Sequence, residues 1–228
     1  MTGKEVRNKL IENSDEKYKD FSVKLIPNCE NMLGVRAPVM KSIAKEVAKN
    51  SDEYFASALL DYHEEKILYG LVINYAKISL EKKFELLDIW LDTANNWAVT
   101  DLVLMGFKDF AKKQNQDVVF NYFTAKLNSK EEFTLRAVIV VLFRYFLTSE
   151  YMDETIQVFK NIKSDKYYVN MALAWGVCEL LIKDFDKGYD LLEKGYLDKF
   201  TNNKAISKAR ESFRISPENK EKLLALKR

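Results

Sequence analysis

Apolar residues recur along this chain at the spacing of an α-helix. Between Val39 and Ala48 they fall at Val39, Met40, Ile43, Ala44, Val47 and Ala48, which is one face of a 3.6-residue period. Leu86, Leu87, Trp90 and Leu91 repeat the pattern, as do Ala172, Leu173, Val177, Leu180 and Leu181. It continues to the end at Leu223, Leu224 and Leu226. The breaks are short and carry helix-start chemistry: Ser14-Asp15-Glu16-Lys17, Ser51-Asp52-Glu53, Ser79-Leu80-Glu81, Ser129-Lys130-Glu131-Glu132 and Ser149-Glu150 each read as a cap followed by acid in the first turn. Ser216-Pro217-Glu218 adds proline at the first helical position, where its missing N–H costs nothing. The pattern predicts about thirteen helices of roughly 10–17 residues joined by short turns. No strand pair and no linker stands out, so residues 1–228 read as one all-α domain.

Many short helix pairs suggest a repeat. Three segments begin at Trp97 (WAVTDLVLMGF), Arg136 (RAVIVVLFRYF) and Trp175 (WGVCELLIKDF), 39 residues apart each time. A period near 40 is that of HEAT-type helix pairs, and the expected architecture is a right-handed α-solenoid of such pairs. Equivalent positions of stacked repeats share one surface. Trp97, Arg136 and Trp175 are therefore expected to line up, with Asp101 one turn after Trp97 on the same helix face. Each of these residues also has a plain structural reading: the tryptophans as packing, Arg136 as a snorkelling or ion-paired group, Asp101 as a partner of a lysine. The shared register favours the functional reading.

Composition removes several classes of function. Hydrophobic residues make up 47% of the 228, enough for a substantial core. Only 7 Gly and 3 Pro occur, too few for a turn-rich β-sandwich or barrel. The longest apolar run, Ala137 to Phe143, is far below the ~20 residues of a bilayer span, and the charged N-terminus has no signal-peptide core. A cytoplasmic protein is the expectation. One His and two Cys, Cys29 and Cys178, leave no His/Cys metal cluster and no disulfide scaffold. His63 reads as a capping or surface residue and Cys178 as core. No phosphate-binding or dinucleotide-binding glycine loop is present. The tyrosine and phenylalanine clusters at Tyr54-Phe55, Tyr122-Phe123 and Tyr145-Phe146 read as packing between helices.

Asn96-Trp97-Ala98-Val99-Thr100-Asp101 resembles the Trp-x-x-x-Asp motif of bacterial DNA alkylation repair glycosylases of the AlkD-like family, which are HEAT-like repeat proteins. Leu33-Gly34-Val35-Arg36-Ala37-Pro38 looks like that family's Gly-Val-Arg/Lys-x-Pro turn. Arg136-Ala137 sits where the family has a phosphate-facing Arg. Tyr167 to Trp175 resembles its Lys/Met-Ala-x-x-Trp segment, and Asn203 to Arg214 its final repeat. The similarity covers the chain from about Asp15 onward.

The resemblance implies hydrolysis of the N-glycosidic bond of cationic alkylpurines, of the 3-methyladenine and 7-methylguanine type, in duplex DNA, without a deep base-flipping pocket. Asp101 would stabilise the oxocarbenium-like sugar and orient or deprotonate the attacking water. Trp97 and Trp175 would offer electron-rich faces to the cationic nucleoside, worth ~0.5–2 kcal/mol each. Arg136 would grip a backbone phosphate through its bidentate fork. The leaving base is already cationic, so no separate general acid is needed, and neither a metal nor an organic cofactor is implied.

Charge adds detail to this picture. The net charge is +2, close to neutral, but Lys204 to Arg228 holds eight basic and three acidic residues, so the rest of the chain is net acidic. Lys204, Lys208, Arg210 and Arg214 are candidate phosphate contacts, as are Lys41 and Lys45 on one helix face; the alternative for each is an ordinary solvated side chain. The expected protein is a monomer. The runner-up is a HEAT-like scaffold that holds nucleic acid or protein without catalysis.

Overall fold

The caps written into the sequence start several of the helices seen in the computed structural model, which describes residues 1–26, 29 and 31–228. Among these residues the chain forms fourteen α-helices and no strand. The first seven are α1 (Gly3–Glu12), α2 (Glu16–Ser22), α3 (Ala37–Val47), α4 (Asp52–Ser57), α5 (His63–Tyr75), α6 (Leu80–Thr93) and α7 (Trp97–Leu104). The others are α8 (Gln116–Thr124), α9 (Glu132–Tyr145), α10 (Met152–Asn161), α11 (Tyr167–Lys183), α12 (Phe185–Glu193), α13 (Lys199–Glu211) and α14 (Pro217–Leu224). No helix is long and apolar enough to cross a membrane, among the described residues.

Six of these helices run for fewer than ten residues, shorter than the pattern predicts. Helices this short are marginal alone, so tertiary packing must hold them. The Asp15, Ser79 and Ser216 side chains accept first-turn N–H groups as expected. Three expected caps differ. Ser51 precedes α4 but sits in helical conformation after a 3₁₀ turn, where its hydroxyl makes no cap bond. Ser129 accepts from the Glu131 N–H at 3.1 Å, and α9 starts beyond it at Glu132. α10 starts at Met152 after Tyr151, which leaves Ser149 outside the cap position.

The chain forms two compact units, 1–115 and 116–228. In the first, α5 packs against α3, α6 and α7. Gly70 makes this approach possible: a Cβ there would lie 2.7 Å from Val103 and 3.0 Å from Trp90. Trp90 is fully buried, and its indole N–H donates to the Lys66 carbonyl at 2.8 Å. In the second unit α11 packs between α9 and α13, with α10 against α9, α12 against α11 and α14 against α13. Phe123, Phe146 and Phe159 are fully buried there, and the apolar run Ala137 to Phe143 lies in the core.

Helices α7, α9 and α11 start 35 residues apart, at Trp97, Glu132 and Tyr167. The 39-residue spacing of Trp97, Arg136 and Trp175 therefore does not mark equivalent helix positions. Trp97 is the first residue of α7, Arg136 the fifth of α9 and Trp175 the ninth of α11. Each step exceeds the helix spacing by one turn, which keeps the helix face but advances about 6 Å along the axis.

Candidate functional site

In the first unit the Trp-x-x-x-Asp motif opens α7. Asn96 caps this helix in extended conformation, its side-chain oxygen accepting from Ala98 N at 3.1 Å and Val99 N at 3.2 Å. The Trp97 ring is partly buried, packed on Ile26, Met32 and Ala98 beside Cys29, and its indole N–H donates to the Leu25 carbonyl at 3.3 Å. Asp101 follows one turn later and is 9% exposed. Its Oδ1 accepts from the Thr100 hydroxyl at 3.1 Å. A ring with an open side and a carboxylate thus stand on one turn of helix.

Sequence reasoning missed the residues that hold this turn in place. His63, read as a capping or surface residue, is 6% exposed at the start of α5. Its Nδ1 lies 3.2 Å from Asn96 Nδ2. Because Asn96 Oδ1 already accepts two backbone N–H groups, the amide NH₂ is the group facing His63 and donates to it. His63 is then the neutral tautomer with its proton on Nε2. Burial lowers its pKa from the ordinary histidine value. Glu64, next in the chain, is buried and accepts three successive backbone N–H groups: Leu33 at 2.9 Å, Gly34 at 2.7 Å and Val35 at 3.1 Å. The Gly-Val-Arg-x-Pro turn is therefore a cradle for this carboxylate. Gly34 has φ +87°, and a Cβ there would lie 2.4 Å from the Asp15 carbonyl oxygen. Arg36 completes the turn, pairing with Asp15 at 3.0 Å and stacking over Tyr18.

In the second unit Arg136 is 6% exposed, and one of its N–H groups donates to the Tyr168 carbonyl at 3.0 Å. Glu132, one turn before it, accepts the Tyr168 N–H at 2.6 Å, so the start of α9 grips the start of α11 at both ends of one peptide residue. Trp175 lies about two turns further along α11, partly buried, its ring centroid 4.6 Å from that of Phe143. The Trp175 indole N–H donates to Glu179 Oε1 at 3.3 Å. Glu179 was not among the sequence candidates, although Trp175-x-x-x-Glu179 repeats the spacing of Trp97 and Asp101.

The basic candidates divide. Lys41 and Lys45 are exposed on α3, with the Lys45 ammonium 5.7 Å above the Tyr75 ring. Lys204 and Lys208 lie one turn apart on α13; Lys204 is exposed and Lys208 partly so. Arg210 is exposed in the last turn of the same helix. Arg214 is exposed but forks onto Glu179, at 2.6 and 3.0 Å. Burial pushes the Cys29 and Cys178 thiols up to about 11, so neither is a thiolate at neutral pH. Among the described residues no three His, Cys, Asp or Glu side chains are grouped to hold a metal ion.

No curated protein matches this chain. The sequence profile described as DNA alkylation repair enzyme does, over residues 6–212, which takes in the α3 turn, the Trp97–Asp101 turn, Arg136, Trp175 and the α13 lysines. With nearly the whole length matched, the chain belongs to the DNA alkylation repair enzyme family.

Proposed function

We propose that this protein removes cationic alkylpurines from duplex DNA by hydrolysing the N-glycosidic bond. The observation that carries the reading is the α7 turn: a half-open indole at Trp97 and the Asp101 carboxylate, one turn apart, in a chain of the alkylation repair family. Bond breakage leaves positive charge on the sugar and releases a neutral base. Asp101 stabilises that charge, aligns the water that attacks the anomeric carbon and accepts the proton that this water gives up. The Trp97 and Trp175 faces stabilise the cationic nucleoside. Arg136 supplies a fixed positive charge toward the phosphate backbone, and the Tyr168 carbonyl orients its guanidinium. Lys41, Lys45, Lys204, Lys208 and Arg210 contact phosphates and make binding salt-dependent.

The side-by-side packing of α3, α5 and α7 in one unit, and of α9, α11 and α13 in the other, supports HEAT-like helix pairs as the repeat. The deciding experiment is base release from methylated duplex DNA by the wild-type protein. Release of 3-methyladenine or 7-methylguanine, leaving abasic sites, is expected. Tight binding to the same duplex with no release would favour a non-catalytic nucleic-acid scaffold instead.

A further inference from the structure

Arg214 is an obvious candidate for a phosphate contact: it is basic, exposed and follows the lysine-rich α13. Its guanidinium is nonetheless committed within the protein. NH2 donates to Glu179 Oε1 at 2.6 Å and NH1 to Oε2 at 3.0 Å, the two-point fork that fixes the plane of a carboxylate. Glu179 Oε1 also accepts the Trp175 indole N–H at 3.3 Å. The Glu179 side chain keeps only 18% of its surface, against 59% for Arg214, so the shared carboxylate is the sheltered member. On its other flank Trp175 meets the Phe143 ring, which is itself buried. The indole is thus held at its N–H by a carboxylate and along its ring by an aromatic neighbour.

An unrestrained tryptophan at a partly open position samples several rotamers, and each loses contact with a bound base. A ring fixed before binding avoids that ordering cost. Without Arg214, Glu179 is a long side chain with several rotamers of its own and a poor anchor. We propose that Glu179 and Arg214 are positioning residues for Trp175: the ion pair locks the indole in the orientation that meets the substrate, and Arg214 acts through Glu179 rather than on a phosphate. This assignment rests on the role given to Trp175 above.

Two readouts on the full chain separate the possibilities. The first needs no activity: the indole ¹⁵N–¹H resonance of Trp175, assigned by its loss in Trp175→Phe. In Arg214→Ala and Glu179→Ala this resonance is expected to move and broaden, while the buried Trp90 resonance stays and reports intact folding. Arg214→Lys keeps a charge without the fork and falls between. The second is base release with binding measured across salt. Arg214→Ala is expected to lower the single-turnover rate on the order of tenfold, with affinity and its salt slope nearly unchanged. An unmoved Trp175 resonance in Arg214→Ala overturns the proposal. So does a salt slope reduced by about one unit with the rate on saturating DNA unchanged, which would make Arg214 a phosphate contact. If the wild type releases no base, the repair reading fails, and the Trp175 resonance alone decides the clamp: it must move in both Arg214→Ala and Glu179→Ala for the clamp to stand.

Discussion

Glu64 and Gly34 stand thirty residues apart in the chain and are joined by a 2.7 Å hydrogen bond from the Gly34 N–H to a buried carboxylate oxygen. Leu33 and Val35 donate to the same side chain, so one carboxylate from the start of α5 orders the turn that leads into α3. Glu64→Ala leaves three backbone donors without their partner. The expected cost is roughly 1–3 kcal/mol, read as a melting point several degrees lower. Gly34→Ala should also destabilise, for a different reason: its φ of +87° and the nearby Asp15 carbonyl leave no room for a Cβ. A Glu64→Ala protein that melts with the wild type would remove the cradle from the account of stability.

His63 gives the fold a pH dependence with a definite sign. Its folded pKa is lowered by burial, with Lys66 adding to the shift and Glu64 opposing it. Protonating Nδ1 would also set it against the Asn96 amide, donor against donor, at the cap of the helix that carries Trp97 and Asp101. Between the folded pKa and the unfolded value near 6.5, the unfolded chain holds a proton that the folded chain lacks. Stability should therefore fall as pH drops through about 6.5 and level off below the folded pKa. His63→Asn keeps an acceptor for Asn96 but cannot titrate, so its urea midpoint should decline less between about pH 7 and 5. His63 is the one histidine of the chain, so its ring proton resonances read the pKa directly. A value above 6.5 would reverse the sign.

Much of this was legible in the sequence, for local reasons. Period 3.6 located the helices, and Asp15, Ser79 and Ser216 caps follow from neighbours two or three residues away. Ser51, Ser129 and Ser149 carry the same chemistry, but the backbone around them does not turn where a cap is needed, and composition does not reveal that. The Trp97–Asp101 turn was legible as spacing on one helix. His63, Glu64 and Arg214 were not, because what defines each is a partner about thirty residues away: Asn96, the Gly34 turn and Glu179 respectively. Glu179 left one signal, its place four residues after a tryptophan, as Asp101 follows Trp97.

Asp101→Asn isolates the chemistry. The amide keeps the shape and still offers an oxygen to the Thr100 hydroxyl, so the variant should still fold and bind DNA. Base release should fall on the order of 10²–10³-fold or more, the scale set by losing one preorganised group at a developing charge. Release at the wild-type rate would take Asp101 out of the mechanism.

Arg136→Ala should show two effects together. Removing a buried guanidinium leaves the Tyr168 carbonyl without that donor and should lower stability by about 1–3 kcal/mol. If Arg136 also addresses a phosphate, binding weakens and the slope of log affinity against log salt falls by about one unit. Loss of stability with an unchanged slope would confine Arg136 to joining α9 and α11.

Trp97 and Trp175 belong to different units, and the proposed reaction needs both rings to serve one lesion. That requirement is testable through energetic coupling. Each single Trp→Ala change should slow base release, and if the rings act on the same cationic nucleoside their effects should not add. A double-mutant cycle on the single-turnover rate should give an interaction energy of roughly 0.5–3 kcal/mol, the range for groups that share a partner. Strict additivity would mean that the two rings act independently. A matched cycle between Trp97 and Lys204 serves as the control, because a phosphate contact on α13 should add to the ring rather than couple with it. Coupling in the first cycle and additivity in the second would tie the two tryptophans to one substrate.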